Sequence, residues 1–162
     1  MTPARRDVSV DDIKTKFLIT ELISRYGNSL DSGAFDELES LFTDDAVFRI
    51  EPETGVPPLQ GRRGIRMAVE RRWTLVHMES QRRHVMSNIV VGPISPDGCS
   101  ATARTVLVVY EVGKAAGSQV HLHGMGVYED AVVLETGQWR IRERRLILDR
   151  SDYFAPGWVS SR

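Results

Sequence analysis

Four consecutive runs rich in Val, Ile, Thr and Tyr fill the C-terminal half of this chain and narrow its possible folds more than any other feature. They are Arg83 to Val91, Ser100 to Val112, Gln119 to Leu134 and Gln138 to Leu148. β-branched and aromatic side chains suit a pleated surface. The breaks between the runs fall at Pro96-Asp97-Gly98, at Gly113 to Gly117 and at Glu135-Thr136-Gly137. Parallel neighbours need a crossover of a dozen or more residues, so strands joined this tightly must pair as an antiparallel meander.

The N-terminal half reads as helices. Ser9 or Asp11 can cap a first helix whose apolar positions Ile13, Phe17, Ile19, Leu22, Ile23, Tyr26 and Leu30 recur at helical spacing, and Ser32-Gly33 ends it. A short helix from Ala34 to Phe42 follows, and Thr43-Asp44-Asp45 then turns the chain into a strand over 46–50. Glu51 to Gly61 holds Pro52, Pro57, Pro58 and two glycines, which predicts a loop. A third helix from Arg63 to Val76 would bury Ile65, Val69, Trp73 and Val76. Helices first and a long meander last is the order of an α+β domain, a curved sheet wrapped around helices with a conical pocket between them. One domain over residues 1–162 is expected, with 151–162 as a tail or a lid carrying Phe154, Pro156 and Trp158.

Composition removes several function classes. The chain has 162 residues, 41% hydrophobic and 27% charged, which suits one globular domain with a proper core. Its formal net charge is -1, and its arginine pairs are scattered among acids, so no basic stripe exists for nucleic acid. Cys99 is the single cysteine, which excludes an internal disulfide and a cysteine zinc cluster and fits a reducing compartment. Without an apolar leader or a membrane-length apolar run, a cytoplasmic protein is expected. There is no glycine-rich phosphate loop, nucleophile elbow or cysteine nucleophile, which argues against nucleotide enzymes and covalent hydrolases.

The residues able to do chemistry are few. Asp31 ends the first helix, and His84 opens the first meander strand within Arg82-Arg83-His84-Val85-Met86-Ser87-Asn88. A sheet wrapped around that helix could bring the two together, and a carboxylate that orients a histidine makes a general base. Tyr26 lies on the same helical stripe as Asp31, and Asn88 lies four residues beyond His84 on the same strand face. His121 and His123, at i and i+2, could chelate a metal, but spacing supplies no third ligand and no metal is expected. Their strand alternates His121, His123, Met125 and Val127 against Leu122, Gly124, Gly126 and Tyr128. The first set facing inward would make either histidine a second acid, whereas inward glycines would leave the histidines on the outer face or at an oligomer interface. His77 reads as a surface residue.

Several segments together resemble the SnoaL-like branch of the nuclear-transport-factor-2-like superfamily. They are Leu22 to Tyr26, Leu30-Asp31-Ser32-Gly33, Leu41 to Ala46, Arg83-His84 to Asn88, Gly126 to Asp130, and Gly137 to Ile141. The resemblance covers nearly the whole chain and implies a cone-shaped α+β barrel that forms dimers or higher oligomers. It also points to scytalone dehydratase, bile-acid 7-alpha-dehydratase and hexachlorocyclohexane dehydrochlorinase, which carry an Asp and a His at matching places and eliminate without a cofactor. By that resemblance His84, Asp31 and Tyr26 are catalytic. Arg144, five residues after Trp139, matches a substrate-binding arginine, although alternation places it with outward-facing Arg140 and Arg142 unless a bulge intervenes. Asn88, His121, His123, Tyr128 and Trp73 complete the expected substrate-binding set. No ionisable group falls at Leu107 to Val109, where some dehydratases carry a second acid. The expected activity is proton abstraction from a small apolar substrate leading to dehydration or another elimination, with no cofactor, nucleic acid or membrane partner. Isomerisation, polyketide-type cyclisation, and a non-catalytic role like that of a dioxygenase beta subunit are the alternatives.

Overall fold

In the computed structural model of the protein, residues 9–51 and 57–149 are described. Pro52 and the expected tail or lid at 151–162 lie outside them. Among the described residues, three helices precede the long meander: α1 (Val10–Ser32), α2 (Phe35–Ser40) and α3 (Gly61–His77). The strands are β1 (Phe42–Glu51), β2 (Leu59–Gln60), β3 (Ser80–Ile94), β4 (Ser100–Gly113), β5 (Val120–Glu135) and β6 (Gln138–Leu148). They form one six-stranded sheet in the order β2-β1-β6-β5-β4-β3. β3 to β6 pair antiparallel as the short turns require, and β1 closes onto β6 in parallel. The architecture is the expected α+β arrangement of a curved mixed sheet around N-terminal helices.

Local chemistry sets the helix ends. Ser9, not Asp11, caps α1 in a reciprocal capping box with Asp12. Gly33 ends the helix at φ 73 and donates its N–H to the Ser29 carbonyl. α2 and β1 differ from the sequence reading, because β1 already begins at Phe42, whose ring is buried. A two-residue strand, β2, forms within the expected loop and pairs with Val47 and Phe48.

Ile13 and Phe17 do not join the core. They stay 58% and 62% exposed, and burial along α1 begins only at Ile19. From there Leu22, Ile23, Tyr26 and Leu30 meet Phe42, Phe48, Leu107, Val109, Tyr128 and Leu146 in one core cluster. α1 crosses β3 closely. A Cβ at Gly27 would stand 2.8 Å from Met86 Cγ and 3.6 Å from the His84 carbonyl oxygen, so glycine lets the helix settle beside His84.

Candidate active site

Asp31 lies one helical turn beyond Gly27, and this close crossing delivers it to His84. The Asp31 carboxylate accepts the His84 backbone N–H at 3.1 Å and lies 2.7 Å from His84 Nδ1. The two side chains are only 14% and 9% exposed. A carboxylate accepts only, so Nδ1 carries the proton in the neutral ring and Nε2 is the atom able to take one. The helix exit is supplied by Gly33, so the carboxylate is directed across to β3 and not used to end its own helix.

His84 borders a cavity of about 140 Å³ between α1, α3 and the inner face of the sheet. That volume resembles the ~150 Å³ of an engineered apolar cavity that admits one benzene molecule. Its wall is mostly apolar, with Leu30, Phe48, Val69, Trp73, Val76 and Leu146, and its polar members are Tyr26, Tyr128, His84, Arg72, His77 and Arg82. Among the described residues, none of those lining it is a carboxylate. Tyr26 and Tyr128 meet edge to face at 5.8 Å and form part of the floor. Burial pushes the Tyr26 phenol up, partly opposed by the charge of Arg144, so it stays a proton donor at neutral pH.

Arg144 is inward because β6 carries a bulge. Ala131 pairs with Glu143 and Val132 with Ile141, which leaves Arg142 as the extra residue and reverses the alternation beyond it. The guanidinium does not reach the cavity, however. Its side chain is 0% exposed and binds Asp130 through two bonds, Nε to Oδ1 at 2.7 Å and Nη2 to Oδ2 at 2.8 Å. Its Cζ stands 3.9 Å from the centroid of the Tyr26 ring and 4.3 Å from that of Tyr128. Arg144 therefore supports the tyrosine floor from behind, and direct substrate contact is corrected to that role.

Two further bulges correct the remaining expectations. The β3 register shifts between Ser87 and Val90, with Asn88 at φ 49. This turns Asn88 outward into solvent and brings Ile89 to the core in its place. In β5, Val109 pairs with Gly124 and Tyr110 with Leu122, so His123 is the extra residue. Neither simple alternation holds there. The glycines face inward, yet His121 and His123 stand on the same side, at the rim beyond the cavity wall. His121 pairs in register with Glu111, which pairs in register with the cavity-lining Arg82. A Cβ on inward Gly126 would meet the Ile147 carbonyl oxygen, so that glycine makes room for backbone, not for substrate.

Candidate ligand atoms of Glu111, His121 and His123 lie within 4.8 Å of one another. The Glu111 Oε2 that stands 3.2 Å from His123 Nδ1 is also the oxygen bound by the Arg82 guanidinium. The structure thus supplies, in Glu111, the third candidate ligand that spacing did not, and a cation there would share that carboxylate with the Arg82 guanidinium. Burial and the charge of Arg82 hold His123 down at about 4, against the pull of Glu111.

The sequence reading missed Arg72, His77, Arg82 and Asp130. His77, read as a surface residue, lines the cavity. Arg82 could have been found from its place two residues before His84, on the same strand face. His77 could have been found from its place four residues after Trp73 on one helix.

Residues 13–145 match the SnoaL-like domain family. The chain is 26% identical over 150 residues to the anthranilate 1,2-dioxygenase small subunit of Burkholderia cepacia, covering 87% of this chain and 91% of that one. Its fold resembles a candidate scytalone dehydratase from Novosphingobium aromaticivorans, with TM-score 0.71, 22% identity and coverage of 86% and 87%. It also resembles ActVI-ORFA from Streptomyces coelicolor, with TM-score 0.68, 22% identity and coverage of 85% and 97%.

Proposed function

The chain belongs to the SnoaL-like domain family, and from that premise we propose that it is a lyase-type enzyme in which His84 is the general base. The observation that carries this reading is the 2.7 Å contact between Asp31 Oδ1 and His84 Nδ1 beside a half-open, mostly apolar cavity. His84 Nε2 takes a proton from a carbon next to a carbonyl, the electrons shift toward the carbonyl oxygen, and a leaving group departs from the adjacent carbon. Asp31 fixes the ring tautomer and stabilises the imidazolium as it forms. Tyr26, kept protonated by burial, donates to the developing oxyanion. The chemistry calls on no metal or organic cofactor. Cyclisation and isomerisation begin with the same abstraction, so the substrate decides among them.

The substrate class is a small, mostly apolar organic molecule of about one ring. A second copy of the chain is the proposed protein partner. Val85, Met125, Tyr110 and Leu122 are exposed on neighbouring strands of the outer sheet face, an apolar patch suited to a homodimer. A non-catalytic role beside a larger oxygenase subunit is a second reading, favoured by the similarity to the dioxygenase small subunit. It predicts co-purification with a large catalytic chain and no turnover by the isolated protein.

The test is exchange of protons next to the carbonyl in a panel of hydroxylated ring ketones, followed by NMR in D2O. His84→Ala should slow exchange roughly 10²- to 10⁴-fold while the circular dichroism spectrum is kept. Near-normal exchange in that variant would dispose of the general-base reading.

A further inference from the structure

Trp73 and His77 lie one turn apart on α3, and both border the cavity. Their rings stack with centroids 3.9 Å apart and planes 13° from parallel. His77 Nδ1 is 3.0 Å from the Trp73 carbonyl oxygen, which only accepts, so the ring's proton sits on Nδ1. Burial lowers the His77 pKa, and the charges of Lys114 and Arg82 lower it further. The ring is therefore neutral at neutral pH, and Nε2 presents a lone pair.

That Nε2 and the indole Nε1 of Trp73 are both buried, and neither has a hydrogen-bond partner among the described residues. One accepts and the other donates. Buried polar atoms in folded proteins are almost always satisfied, and each exception calls for an explanation. We propose that this wall of the cavity is a recognition site for a hydroxyl group on a ring-sized substrate, which donates to His77 Nε2 and accepts from Trp73 Nε1–H. An ether or carbonyl oxygen would serve Trp73 alone, and an ammonium group His77 alone. A hydroxyl has both capacities on one atom.

The inference rests on the reading of the cavity as a substrate pocket, and it adds a constraint to the chemistry. The hydroxyl held here is an anchor and not the leaving group. The one proton of His77 is engaged by the Trp73 carbonyl, so Nε2 has none to give to a departing hydroxide. The preferred substrate thus keeps a hydroxyl through the reaction, on the side of the ring that faces α3.

Phenol, anisole and toluene share one ring and differ only in the group offered to this wall. Titrated into the full chain by calorimetry, phenol should bind at least about fivefold more tightly than toluene, with anisole between them, as one to two net hydrogen bonds imply. His77→Phe keeps an aromatic face for Trp73 and removes Nε2, so phenol should then bind within about twofold of anisole. Should that variant fail to fold, Trp73→Phe tests the donor half, and the advantage of anisole over toluene should vanish. Equal affinity of the wild type for phenol and toluene overturns the proposal, as does an undiminished phenol preference in folded His77→Phe. The same titration in His84→Ala keeps the two readings apart. Phenol preference retained there supports the hydroxyl site whatever happens to proton exchange, whereas its loss there with retention in His77→Phe moves the hydroxyl to His84 and overturns it.

Discussion

Asp130→Asn leaves a buried cation without its counter-charge, and the structure sets the size of the effect. Arg144 and Asp130 are each 0% exposed at the side chain and share two hydrogen bonds, at 2.7 and 2.8 Å. The guanidinium cannot escape by losing its proton, because Asp130 holds its pKa above the ordinary value. The two neighbouring tyrosine rings offer it a quadrupole but no negative charge. Asparagine keeps the shape, accepts one N–H and turns an amide N–H2 toward the other donor. Removing one partner of such a pair costs about 3–5 kcal/mol, which at 2–4 °C per kcal/mol for a chain this size lowers Tm by roughly 6–20 °C. Urea unfolding followed by tryptophan fluorescence measures the loss. The double variant Asp130→Leu with Arg144→Met removes both charges and should return to within about 1–2 kcal/mol of wild type. A single Asp130→Asn variant within about 1 kcal/mol of wild type would refute the argument.

Asp31→Asn should lower proton exchange roughly 10²-fold or more with near-normal substrate affinity, because the amide no longer fixes the tautomer or stabilises the imidazolium; unchanged exchange would show that the carboxylate is only structural. His123 gives a pH signature: its folded pKa of about 4 lies below the ordinary 6.5, so the unfolded chain takes up the proton first. Its contribution to stability is complete above pH ~6.5, declines as pH falls toward ~4, and changes no further below that. Unfolding free energies of wild type and His123→Gln between pH 7 and 4 should converge on acidification, by a modest amount because the ring is only partly buried. Gly126→Ala places a Cβ on the Ile147 carbonyl oxygen, and should cost at least about 2 kcal/mol or prevent folding, as read by soluble yield and thermal melting.

What the sequence made legible was whatever depends on short-range chemistry. Turn lengths dictated the antiparallel meander, Ser9 and Gly33 marked the ends of α1, and the stripe from Ile19 to Leu30 marked its buried face. The approach of Asp31 to His84 could be expected from the fold, because a sheet wrapped around a helix brings the helix end to the start of the first meander strand. Ile13 and Phe17 were misplaced because periodicity shows which face is apolar but not how far along the helix a partner extends. His77 was misplaced because a residue near a helix end looks exposed until the neighbouring strand is in position.

The largest errors share one cause. Strict alternation predicts the facing of every strand residue from its neighbours, and a single inserted residue inverts the prediction for the rest of the strand. The insertion at Asn88 exchanges an amide for Ile89 on the inner face, which keeps the core dry beyond His84. At Arg142 it turns Arg144 inward to Asp130 and locks the tyrosine floor. At His123 it adds a histidine to the row of Arg82 and Glu111 and gathers polar groups at the rim. Without these shifts, polar and apolar residues would be interleaved along the inner face, and His84 would have a wetter environment. With them, the inner face divides into an apolar floor braced by a buried ion pair and a polar mouth, and His84 stands at the boundary. The proposed general base gains from that position, because its ring borders a mostly apolar cavity while Nδ1 stays bound to a carboxylate.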